Sequence, residues 1–99
     1  MLPEQQKAFD AFYRTAHNNR ILDEKTTLMV HLAASMAVAC YPCMRVYMEQ
    51  AKHVGLTKEE IDTVETIVMA VSAGRVMLQF KEAMARKGGK DITYEPCEC

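Results

Sequence analysis

A chain of 99 residues with 49% hydrophobic and 25% charged side chains has the composition of one globular domain, which excludes an intrinsically disordered chain. Twelve Lys and Arg against 13 Asp and Glu leave a net charge of −1, so there is no basic footprint for a phosphate backbone and nucleic acid is not an expected partner. The start, MLPEQQKAFDAF, lacks the basic and apolar parts of a signal peptide. The longest nearly apolar run, Leu28 to Cys40, falls short of the ~20 residues a membrane span needs. A cytoplasmic protein with no membrane partner is expected. In that compartment four Cys point to redox or metal chemistry rather than to structural disulfides.

Pro3 suits a first helical turn, and Phe9, Phe12, Tyr13 and Ala16 recur at the helical period, predicting a first helix from about Pro3 to Ala16. Asn18 and Asn19 close it. Asp23 suits an N-cap, and the second helix is predicted to run from there to about Cys40. Tyr41-Pro42 interrupts the pattern, because proline has no N–H to donate and clashes with the preceding turn. A third helix then runs from Pro42 to about Val54, where Gly55 supplies the stop. Thr57-Lys58-Glu59-Glu60 reads as a capping box for a fourth helix with Ile61, Val64, Ile67, Val68 and Val71 on its apolar face. Gly74 marks a break. A fifth helix carries Val76, Met77, Phe80 and Met84 before Gly88-Gly89 opens a polar tail. No strand is predicted, so residues 1–99 are expected to form a single all-α domain of about five helices.

Between Leu28 and Cys40 only His31 and Ser35 are polar, so the second helix is apolar nearly all round. Such a helix must be covered on every side, which four short neighbours in a small monomer achieve poorly. A homo-oligomer is therefore expected, with the second helix at a subunit interface.

Cys40-Tyr41-Pro42-Cys43 is a C-x-x-C at the opening of the third helix. The spacing brings the sulfurs close enough to form a disulfide or to share a metal. Unpaired N–H groups and the positive end of the helix dipole stabilise a thiolate there, and thiolate is the species that attacks peroxides and disulfides. The helix-end argument makes Cys40 the more acidic of the two.

Leu22-Asp-Glu-Lys-Thr-Thr, the apolar helix, Cys40-Tyr-Pro-Cys43 and Gly55-Leu-Thr-Lys-Glu-Glu-Ile61 together resemble the carboxymuconolactone decarboxylase family. The cysteine pair brings the chain nearest to the alkylhydroperoxidase D-like branch, over roughly residues 20 to 85. The resemblance implies an all-helical trimer or hexamer with no cofactor. It implies thiol-dependent peroxide reduction, or transfer of electrons between a dithiol reductant and a peroxiredoxin-like partner. It also favours Cys43 as the attacking thiol, against the helix-end argument, and makes lactone decarboxylation the lesser expectation. The branch motif has a Glu twelve residues before the first Cys and a His four after the second, which relay protons to the thiols. Those positions are Leu28 and Tyr47 here, so the relay is missing.

Two residues are candidates to replace it. His31 lies one turn after Leu28 on much the same face, with Ser35 following at i+4; it is either a substitute base or a core histidine satisfied by a hydroxyl or carbonyl. Tyr47 stands at i+4 from Cys43, about 40° around the helix, as a hydrogen-bond donor or a packing aromatic. His17 and His53 fall near helix ends and are read as facing solvent. The methionines are read as core or interface packing. Cys97 and Cys99 end the chain as an inert terminus, as a resolving pair for the C-x-x-C, or as half of a four-thiolate metal site with Cys40 and Cys43.

Overall fold

A computed structural model describes residues 1–85. Four helices follow one another: α1 (Pro3–His17), α2 (Glu24–Ala37), α3 (Tyr41–Val54) and α4 (Lys58–Met84). Among the described residues there is no strand, and no helix is long and apolar enough to cross a membrane.

The caps follow the sequence. Asp23 caps α2 by accepting the Thr26 N–H at 2.7 Å, which holds its carboxyl below the ordinary range. Thr57 and Glu60 form a reciprocal capping box at the start of α4. Glu60 also meets Lys25 of α2 at 3.0 Å, a half-exposed pair that orients α4 on α2 more than it stabilises it. Gly55 ends α3 with φ 74°, a left-handed conformation that suits glycine.

Two expectations about helices are corrected. The predicted fourth and fifth helices are one: α4 runs through Gly74 without a break. Glycine lowers helix propensity by only about 1 kcal/mol, which the surrounding Val, Ala, Arg and Met outweigh. The second helix stops at Ala37, short of Cys40. There the Cys40 N–H donates to the Ser35 carbonyl at 2.9 Å and the Ala39 N–H to the Met36 carbonyl at 3.1 Å. This is the hydrogen-bond pair of a Schellman C-cap, with Ala39 in the left-handed position at φ 56°.

The core is small. Leu28 and Leu32 of α2, Tyr47 and Ala51 of α3 and Val64 of α4 are the buried apolar residues, with Met29, Met36, Ile61 and Cys43 packed against them. The inner face of α2 is thus covered by its own chain, whereas Val30 and Val38 stay exposed. No residue of α1 is buried. The far half of α4 leaves Val71, Val76, Met77, Leu78 and Phe80 more than half exposed. Exposed apolar side chains all round that half of α4 are more than the single exposed hydrophobes of an ordinary surface.

Candidate functional site

Cys40 and Cys43 are joined as a disulfide, with Cα atoms 5.2 Å apart. Cys40 is the N-cap of α3, and its sulfur accepts the Cys43 N–H at 3.3 Å. The helix terminus therefore stabilises negative charge on Cys40 when the bond is opened.

Cys43 faces two openings. An apolar cleft of about 680 Å³ is lined by Phe9, Tyr13, Pro42, Cys43, Val46 and Tyr47, with Asp10 and Arg14 of α1 at its edge. A second cleft of about 300 Å³ holds Val30, His31, Ser35, Cys43 and Tyr47. Cys40 lines neither. Cys43 thus lines the clefts while Cys40 caps the helix, and both are half-buried.

Tyr47 stands between the two clefts. Its hydroxyl shares a hydrogen bond with that of Tyr13 at 2.5 Å. Burial first, and that hydrogen bond second, push its phenol up to about 12. At neutral pH Tyr47 is a neutral donor and acceptor, not a base.

His31 packs its ring edge-on to Tyr47, with centroids 5.0 Å apart. Its Nδ1 lies 2.8 Å from the Thr27 carbonyl. A carbonyl only accepts, so Nδ1 carries the hydrogen and Nε2 of the neutral ring holds the lone pair. That lone pair faces Nδ1 of His17, 3.3 Å away, which donates to it. Ser35 gives its hydroxyl hydrogen to the Leu32 carbonyl at 2.7 Å and does not bond His31.

His31, Tyr47 and Cys43 therefore line one cleft; helical spacing related Tyr47 to Cys43, but no spacing argument reached from His31 across the Tyr41-Pro42 break. His17 is not the solvent-facing residue expected; it is half-buried and bonded to His31. Its partner comes from another helix, and helical periodicity carries no information across the α1–α2 turn. Tyr13 was legible only as one apolar residue of α1, and its hydroxyl partner was not. His53 is exposed as expected. Leu28, in the place of the relay Glu, is 2% exposed and fills the core. Among the described residues no group of three or more His, Cys, Asp or Glu is placed to hold a metal ion, and Cys97 and Cys99 lie outside those residues.

Comparison with curated proteins found no match. Among solved structures, the chain is similar to a protein from Methanobacterium thermoautotrophicum whose crystal structure was a structural genomics target. The two share 29% identity and a TM-score of 0.76, over 81% of this chain and 92% of the other. The carboxymuconolactone decarboxylase family matches over residues 3–86, nearly the whole described chain and including all four helices with the cysteine pair. The chain belongs to that family.

Proposed function

We propose that the protein is a thiol–disulfide oxidoreductase with peroxidase capacity, using Cys40 and Cys43 as its redox pair. The observation that carries this reading is a disulfide set at a helix N-terminus with one sulfur on an apolar cleft. Reduced, the Cys43 thiolate attacks the outer oxygen of a hydroperoxide, forming a sulfenic acid and releasing an alcohol. The Cys40 thiolate then attacks that sulfur, closing the disulfide and expelling water. In the return direction a reductant thiolate attacks Cys43, and Cys40 leaves as a thiolate stabilised by the Cys43 amide. A stabilised thiolate is the better leaving group. The second thiol of the dithiol reductant then resolves the mixed disulfide and frees Cys43, and the reduced pair passes its electrons to a hydroperoxide or to the disulfide of an oxidised peroxiredoxin-like partner. The two arguments over which cysteine attacks are reconciled in this way: Cys43 receives, Cys40 leaves.

In place of the absent Glu and His, the cleft that Cys43 lines carries Tyr47 as a neutral hydrogen-bonding group and His31 as an ionisable one. The exposed apolar side chains of the far half of α4, more than the second helix on which the expectation was built, support a homo-oligomer, a trimer or hexamer as in the family. The Cys40–Cys43 bond supports the redox reading over a four-thiolate metal site, in which both sulfurs would be ligands.

The test is oxidation of the fully reduced protein with diamide, followed by alkylation and mass spectrometry. The expected product is a Cys40–Cys43 linked peptide, reopened by a dithiol, with hydroperoxides replacing diamide in a second arm. Full alkylation of both cysteines after diamide would refute the proposal.

A further inference from the structure

A base that accepts the Cys43 proton must have a lone pair to offer, and in this structure His31 has none free. Its Nδ1 hydrogen is held by the Thr27 carbonyl and its Nε2 lone pair by the His17 N–H. His17 in turn lines another cleft, of about 200 Å³, with Asn18, Glu24, Gln50 and His53. The His17 ring also lies flat against Tyr13, 5.9 Å between centroids and 10° between planes. Tyr13 is the hydroxyl partner of Tyr47. Two residues of α1, a helix with no buried side chain, thus reach the redox wall by separate hydrogen bonds.

We propose that His17 and His31 act as one proton-holding unit, and that the charge of this unit, not basicity of His31 alone, sets how readily Cys43 becomes a thiolate. The proposal rests on the thiol–disulfide reading above and adds His17 to it as a positioning residue. A proton taken up at His17 leaves its Nδ1–H donating to His31; a hop across the 3.3 Å gap places it on His31 Nε2 instead. Either form puts one positive charge on the pair. A second proton would set two like charges ring to ring, with centroids 4.8 Å apart, and is disfavoured. The charged pair stabilises the Cys43 thiolate across the wall it shares with Tyr47, and the thiol proton leaves to water through the open cleft. The groups around the pair are Tyr13 and, one turn before His17, Arg14 of α1, Thr27 and Glu24 of α2, and Tyr47, Gln50 and His53 of α3; Arg14 and Asp10 also line the larger cleft with Cys43 and are unchanged in every variant below. Glu24 is the one carboxylate lining the cleft that His17 lines.

The test uses the reduced full-length chain and follows the rate of thiol alkylation against pH. His17→Asn keeps an N–H donor near the Nδ1 position but cannot carry a proton. It is expected to slow alkylation at neutral pH by about three- to tenfold, the scale of losing a nearby opposite charge. His31→Gln should have the same effect, and His17→Asn/His31→Gln no more than either alone, since removing one member already dissolves the unit. A wild-type profile in His17→Asn would reduce His17 to a tie, and additive losses in the double variant would make the two rings independent; either result overturns the proposal. If a variant fails to fold, an NMR titration of the unaltered protein decides. Both imidazoles are expected to report the same inflections, one for the shared proton and a second at lower pH, and a separate single inflection for each ring overturns it. Alkylation is read whether or not the pair cycles with diamide, so failure of the redox reading and failure of this one are separable.

Discussion

The Tyr13–Tyr47 bond is unequal, and the inequality can be measured. Tyr47 is 8% exposed, whereas Tyr13 is half-buried on the wall of the larger cleft. Tyr47→Phe removes the buried hydroxyl and leaves Tyr13 free to bond water, so only the net value of one hydrogen bond is lost, about 0.5–1.5 kcal/mol. Tyr13→Phe does the reverse. It strands the Tyr47 hydroxyl where water reaches it poorly, at about 1–3 kcal/mol. The more exposed residue is thus the more costly one to change. For a chain of this size roughly 1 kcal/mol moves the thermal midpoint by 4–8 °C. The expected falls are about 4–8 °C for Tyr47→Phe and roughly twice that for Tyr13→Phe. Tyr13→Phe/Tyr47→Phe strands nothing and should recover part of the larger loss. Thermal denaturation of the oxidised protein at one fixed concentration checks this, since self-association would otherwise shift the midpoint. Equal losses in the two single variants, or a double variant worse than Tyr13→Phe, would refute the reasoning.

The raised phenol of Tyr47 gives a pH dependence of defined sign. Its neutral form is favoured in the fold, so that stabilisation is complete below the unfolded value of 10.0 and is lost as pH rises through about 12. Urea midpoints followed over this range should fall more steeply than in Tyr47→Phe, and the difference in phenolate absorbance between the two proteins should stay flat near pH 10.0. A phenolate signal from Tyr47 at that pH contradicts the burial argument. Gly74 is helical, and a Cβ built there meets nothing within 4 Å, so Gly74→Ala should stabilise by about 0.5–1 kcal/mol. A loss on that substitution would mean that Gly74 serves a bend or a close approach after all.

Much of the fold was legible because caps are local. Asp23, Gly55 and the Thr57–Glu60 box each announce a boundary within four residues, and each boundary stands where they put it. The end of α2 was not legible for a related reason. Its left-handed C′ position is filled by Ala39, at a cost of about 1–2 kcal/mol, so the glycine that would have marked the stop is missing. Gly74 misled in the opposite sense, as a glycine whose position in α4 needs no special conformation. At the site, spacing along one helix related Tyr47 to Cys43 and His31 to the vacant position of Leu28. The meeting of His17 with His31 and of Tyr13 with Tyr47 depends on how α1 lies across the other helices. That arrangement has no signature at the level of periodicity.

Cys40 belongs to two helices at once. Its N–H completes the cap of α2, its carbonyl accepts the Met44 N–H of α3 at 3.0 Å, and its sulfur accepts the Cys43 N–H. Two of these anchors hold the Cys40 backbone and the third its sulfur, so the backbone at Cys40 stays fixed when the disulfide opens. The displacement falls on the side chains of the pair, as turns about single bonds. On the proposed redox reading, the backbone hydrogen bonds of Cys40 are common to both states, so any molecule that exchanges with the pair would read the state of two sulfurs and not a rearranged helix end.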